Sequence, residues 1–160
     1  MHPGLLDRRD RGLRARRRRR PGRLAIEARA SGNLPASPEE VWESIARPER
    51  LLEWWPQLTL EPELGGGFLE MWSDGDGAEK RSKGIVTEWR QPELIQLEWS
   101  DDDWGFSTEV SISLSSDEAE TRVVIVHRGF EAAGARGSEL RRAHEDGWQR
   151  HLHRWRSYLR

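Results

Sequence analysis

The 160-residue sequence contains no cysteine, which excludes a disulfide scaffold, a thiolate metal site and a cysteine nucleophile. No apolar run approaches the roughly 18–20 residues of a membrane span, so a protein without a membrane-crossing helix, working in the cytoplasm, is expected. Neither a Gly-x-Ser-x-Gly elbow nor a Gly-Lys-Ser/Thr phosphate loop nor a dinucleotide fingerprint occurs, and no cofactor is expected. Leucine, isoleucine, valine and phenylalanine together number only 32, close to the composition of a disordered chain. What is there instead is tryptophan, nine of them. Each large aromatic buries about 150–250 Å², enough for a small core to be built around indoles.

The net charge of −2 conceals a split. Residues 1–23 carry ten arginines against Asp7 and Asp10, a local +8, and the remaining residues carry −10. Five adjacent arginines, Arg16 to Arg20, repel one another and have little apolar surface to bury, so residues 1–22 read as a disordered, solvated tail ahead of one domain at 23–160. Such a tail can act as an electrostatic arm for phosphates or an anionic membrane, but the lack of interleaved aromatics favours an extension with no role of its own. The acidic remainder would repel nucleic acid, which is expected to bind only through the tail, if at all. A secretory or twin-arginine signal fails because no stretch of 7–15 apolar residues follows Arg20.

The order of elements predicts an α+β fold. Leu24, Ile26 and Ala28 alternate with Ala25, Glu27 and Arg29 as in a half-buried strand. Ser37-Pro38-Glu39-Glu40 is a helix start, and Val41, Trp42 and Ile45 form the inner stripe of a short helix stopping before Arg47-Pro48. Pro48 opens a second short helix, with Leu51, Leu52, Trp54 and Trp55 expected to face the core. The period then changes to two. Strands are predicted at Leu58–Leu60, Phe68–Trp72, 83–90 (Ile85, Thr87 and Trp89 on one face), 94–100 (Ile95, Leu97 and Trp99) and 106–114 (Phe106, Thr108, Val110, Ile112 and Leu114). A last strand spans Thr121–Arg128, with Val123, Ile125 and His127 inward. Asp74-Gly75-Asp76-Gly77 is a turn whose resemblance to a calcium loop fails at the sixth and twelfth positions, and Asp101-Asp102-Asp103 is read as a solvated hairpin tip. A closing helix from about Ser138 to Tyr158 gathers His144, Trp148, His151, Leu152, Trp155 and Leu159 in one sector. Only the apolar face of the sheet is large enough to cover that stripe. The expected architecture is a curved seven-stranded antiparallel sheet gripping a long C-terminal helix, with two short helices after the first strand.

These fragments also carry a family resemblance. Pro35-Ala36-Ser37-Pro38-Glu39-Glu40-Val41-Trp42, Pro48-Glu49-Arg50-Leu51, Trp54-Trp55 and Gly65-Gly66-Gly67-Phe68 are followed by Gly84-Ile85-Val86, Pro92-Glu93-Leu94-Ile95, Thr121-Arg122-Val123, His127-Arg128-Gly129-Phe130 and Gly147-Trp148. In that order they resemble the bacterial proteins related to the Hsp90 ATPase activator domain, within the helix-grip superfamily of START, pollen-allergen-like and polyketide-cyclase proteins. The superfamily hosts carriers, receptors, cyclases and co-chaperones, so the resemblance implies a fold and leaves the activity open.

A helix laid across a curved sheet leaves concave space, commonly an apolar pocket with a few polar groups. The expected lining comprises Trp42, Trp54, Trp55, Trp72, Trp89 and Trp99 from the first part of the chain. Phe106, Thr108, Val110 and His127 join it from the last strands, and His144, Trp148, His151 and Trp155 from the closing helix. The competing expectation is that the indoles fill the space. Gly147, in mid-helix, is expected to allow close backbone packing. His144 and His151 stand seven residues apart, about 10.5 Å along a helix, too far to chelate one metal ion, so no metal site is expected. Three functions remain open: binding of a small apolar or aromatic molecule, a co-chaperone-like interaction module, and a cyclase-like or hydrolytic enzyme. The last would need an acid–base pair, for which His127 with His144 or Glu70 is the nomination, and a homodimer is a further expectation.

Overall fold

A computed structural model describes residues 24–160; the predicted arginine-rich tail lies outside the described residues. Seven strands form one antiparallel sheet: β1 (Glu27–Leu34), β2 (Leu58–Leu60), β3 (Gly67–Ser73), β4 (Glu79–Arg90), β5 (Leu94–Asp101), β6 (Thr108–Asp117) and β7 (Glu120–Arg128). Their order is β1-β7-β6-β5-β4-β3-β2, a meander from β2 to β7 with β1 closing beside β7. Helices α1 (Pro38–Ala46) and α2 (Pro48–Trp54) connect β1 to β2, and α3 (Gly137–Leu159) ends the chain after a 3-10 segment at Phe130–Arg136. This is the predicted helix-grip architecture.

Local chemistry explains most element boundaries. The Ser37 hydroxyl accepts from the Glu40 amide at 3.3 Å and caps α1, while Pro38 and Pro48 occupy first helical positions where no amide hydrogen is needed. Asp74 closes the β3–β4 turn by accepting from the amides of Asp76 and Ala78, both at 2.9 Å. Val41, Trp42 and Ile45 are buried as the helical stripe requires, and so are Ile95, Leu97, Trp99, Val110, Ile112, Leu114, Val123 and Ile125 on alternating strand positions.

Four expectations are corrected. The first strand begins at Glu27, and Leu24 is 84% exposed. Leu52 is 60% exposed, because α2 is too short to bury more than one face and Leu51 with Trp54 occupies it. On β4 the inward residues are Ser82 and Val86, and Ile85 is 46% exposed; a bulge between Val86 and Glu88 then reverses the parity, so that Trp89 does pack against the core. Finally, β6 starts at Thr108, leaving Phe106 in the preceding loop, stacked on Trp104 at 4.7 Å.

The indoles are tied to polar partners as they are buried, as an N–H in low dielectric requires. Trp54 stacks on Trp155 at a centroid separation of 4.8 Å. Trp54 Nε1 donates to the Ser44 carbonyl at 2.9 Å, and Trp155 Nε1 to the Ser44 hydroxyl at 2.7 Å. Ser44 therefore joins α1, α2 and α3 at one fully buried point.

Candidate functional site

Helix α3 does not lie centrally in the sheet. It leans toward β1, where Glu145 accepts from the Arg29 amide at 2.9 Å and Arg156 donates to the Asn33 carbonyl at 3.0 Å. On its opposite flank the sheet and helix diverge, leaving an open cleft of about 890 Å³ between α3 and strands β3 to β5. The interior beneath α1 and α2 is closed: a void of only about 10 Å³ remains among Ile45, Trp55, Phe68, Trp99 and Trp148. That is barely room for one water molecule. The expected pocket and the expected filled core both exist, side by side.

Trp72 and Met71 form one wall of the cleft, and Gly147 and Ala143 of α3 form the other. A side chain added at Gly147 would meet nothing closer than Arg150 Nη2, at 3.8 Å. The expected close packing at this glycine is therefore absent, and its bare backbone opens onto the cleft instead. By contrast, a Cβ at Gly84 would come within 1.7 Å of the Glu98 carbonyl oxygen, so Gly84 is required by strand packing.

The cleft floor carries two carboxylate–histidine pairs, each backed by an indole. Asp101, at the end of β5, accepts at Oδ1 from Trp99 Nε1 at 2.8 Å and from the Ser82 hydroxyl at 2.6 Å, and its Oδ2 lies 3.1 Å from His144 Nε2. His144 Nδ1 sits 2.8 Å from the Leu140 carbonyl, which can only accept, so that nitrogen carries a hydrogen. In the second pair, Glu70 accepts from Trp55 Nε1 at 2.8 Å and faces His151 Nε2 at 3.5 Å. His151 stacks on Trp55 at 4.0 Å, and its buried Nδ1 has no hydrogen-bond partner. Ser82 extends the first pair to the cleft wall by accepting from Trp72 Nε1 at 3.1 Å.

A family profile described as "Activator of Hsp90 ATPase homolog 1-like protein" matches residues 35–160. The chain belongs to that family. No curated protein sequence matches it significantly. Among solved structures, protein CV1439 from Chromobacterium violaceum is 22% identical with a TM-score of 0.68, over 84% of this chain and 97% of that one. CalU16 from Micromonospora echinospora is 16% identical with a TM-score of 0.66, over 86% and 83%. DynU16, described as a protein in the dynemicin biosynthetic locus, is 21% identical with a TM-score of 0.68; 84% of this chain aligns, but it spans only 47% of DynU16. These likenesses establish the fold.

Within this family member the fourteen residues expected to line a pocket separate into groups. Trp72, Trp99, His144, Trp148 and His151 border the cleft. Trp42, Trp54 and Trp155 are sealed in the core, and Trp55 lies beneath the cleft, joined to it through Glu70 and His151. Trp89 packs edge-on against Trp42 at 4.7 Å, away from the opening. Phe106 lies in the β5–β6 loop, and Val110 is fully buried.

Thr108 and His127 belong to a closed relay. Trp148 Nε1 donates to His127 Nδ1 at 3.1 Å, which fixes the tautomer because an indole nitrogen can only donate. His127 Nε2 then donates to Thr108 Oγ1 at 2.7 Å, and Thr108 donates to the Trp99 carbonyl at 3.0 Å. Burial, and secondarily the charge of nearby His144, pushes the His127 pKa well below the usual histidine value, so the ring stays neutral. With both nitrogens occupied and the residue 0% exposed, His127 has no free atom to offer a substrate. The nominated pairing of His127 with His144 is an edge-to-face ring contact at 5.0 Å, and Glu70 faces His151 instead.

Several cleft residues were not among those expected from the sequence to line a pocket, Arg150 and Arg154 of α3 and the two carboxylates Asp101 and Glu70 among them. The signal for Asp101 was available: it continues the inward period Ile95, Leu97, Trp99 by one more step, but its position at the head of three aspartates suggested a solvated tip. Glu70 shares its strand face with Phe68 and Trp72, and no spacing in β3 alone could say which of its faces was inward.

Proposed function

We propose that this protein binds a small, flat, largely apolar molecule in the cleft between α3 and strands β3 to β5. The observation that carries this reading is the coexistence of an open cleft of about 890 Å³ with a core filled to a residual void of about 10 Å³. Nine tryptophans could have closed the concavity, yet α3 places Ala143 and Gly147, which have little or no side chain, among the residues that line the cleft together with Trp72. An aromatic wall facing bare backbone suits a flat ring, and the dyads at the floor supply a few oriented polar groups. The description of one structural relative as a protein of a biosynthetic locus accords with small-molecule binding.

His144 has both ring nitrogens engaged and His127 is sealed, which favours binding over acid–base catalysis at those two residues. The test uses the full chain and its Gly147→Leu variant, titrated with a library of aromatic compounds by tryptophan quenching and thermal shift. Saturable quenching with a raised melting temperature is expected for the wild type, since a ligand binding only the folded state stabilises it. The variant is expected to fold and to lose that response, and equal responses in both proteins would refute the cleft as the site.

A further inference from the structure

Arg150 and Arg154 stand one helical turn apart on α3, both at the cleft and both solvent-exposed. Among the described residues neither makes an ion pair, a condition they share with Arg122, Arg136, Arg142, Arg156 and Arg160, but of these seven arginines only Arg150 and Arg154 line the cleft. Arg150 reaches back over the helix, its Nη2 lying 3.8 Å from the point where a Gly147 side chain would begin. Two guanidinium groups thus stand at the C-terminal end of the trough that Ala143 and Gly147 leave bare. The acidic groups of the cleft lie elsewhere: Glu70 and Asp101 are occupied by indole N–H donors and face histidines on the floor. Glu139 lies more than two helical turns toward the N-terminus of α3, and Asp74 is engaged in the β3–β4 turn.

We infer that the ligand is an aromatic carboxylic acid, its ring held between Trp72 and the Gly147 backbone and its carboxylate held by Arg150 and Arg154. The inference deepens the binding reading above and rests on it. A planar guanidinium matches a carboxylate through paired N–H donors, which a single ammonium would not do as specifically. The helix supplies two such groups, neither in an ion pair among the described residues, beside Gly147, where no side chain stands between the backbone and the cleft. A neutral ring compound would use the wall and gain nothing from the arginines, and an amine would meet them as like charges.

The experiment compares 2-naphthoate with 2-naphthalenemethanol, two probes of the same ring and different charge, by calorimetry with the full-length protein. The wild type is expected to prefer the acid by about tenfold, equivalent to 1.4 kcal/mol, and the preference should shrink as salt screens it. In the Arg150→Gln/Arg154→Gln double variant the ratio of the two affinities should fall toward one, and Arg→Lys replacements should restore it only in part. Binding of the alcohol as tightly as the acid by the wild type would overturn the acid inference and leave the cleft reading standing. Failure of both probes, with no response to any flat aromatic in the library, would overturn both.

Discussion

At the scale of single residues, the two buried polar centres behave in different ways. His127 is neutral because burial and His144 both disfavour its charged form. A histidine whose folded pKa lies below its unfolded value of about 6.5 contributes stability that is fully present above that value and is lost as pH falls through it toward the folded pKa. Chemical denaturation between pH 7.5 and 5.5 should therefore show wild-type stability declining on acidification, with a contribution from this residue of at most about 1.4 kcal/mol per pH unit. His127→Gln should be less stable at pH 7.5 and should show a shallower decline. Asp101 offers a sharper contrast. Asparagine can accept from Trp99 and Ser82 with its oxygen and donate to His144 with its amide, so Asp101→Asn should cost under about 1 kcal/mol. Asp101→Ala strands the donors and should cost about 3 kcal/mol or more, at about 1–3 kcal/mol per unsatisfied buried group. Equal losses in the two variants would show that hydrogen-bond satisfaction is not what Asp101 provides.

At the scale of elements, two glycines make opposite predictions. Gly147 lies in mid-helix over open space, so Gly147→Ala should stabilise the fold by about 0.5–1 kcal/mol through helix propensity alone. Gly84→Ala drives a methyl into the Glu98 carbonyl and should cost about 3 kcal/mol or prevent folding. Thermal melts of the two variants decide both. Most element types were legible in the sequence because α1, β5, β6, β7 and α3 each bury one face with a clean period, and the Ser37-Pro38 start has a single local reading. Strand β4 was misread for a physical reason: a bulge adds one residue to the count, so Ile85 and Trp89 fall on opposite faces despite their even spacing. Leu24 and Leu52 were misassigned because hydrophobicity says that a side chain can be buried and not that a partner surface exists. The cleft itself was only half legible. The widths of the indoles and the presence of Gly147 are written in the chain, but the lean of α3 toward β1, set by Glu145 and Arg156 across more than a hundred residues, is not.

At the scale of the whole molecule, the helix-grip arrangement separates a sealed half from an open half. Trp42, Trp54 and Trp155 hold α1, α2 and α3 together on the sealed side, whereas Trp72, Trp99 and Trp148 surround the cleft. Among the described residues no helix is long and apolar enough to cross a membrane. Entry of the ligand into the open half is what the proposed function requires. Its most direct test is a titration of nitrogen-15-labelled full-length protein with 2-naphthoate, following the indole N–H resonances in two-dimensional spectra. Saturable shifts are expected at Trp72, Trp99 and Trp148, with Trp42, Trp54 and Trp155 unmoved. Shifts confined to the core indoles, or none at any indole at saturating ligand, would contradict it.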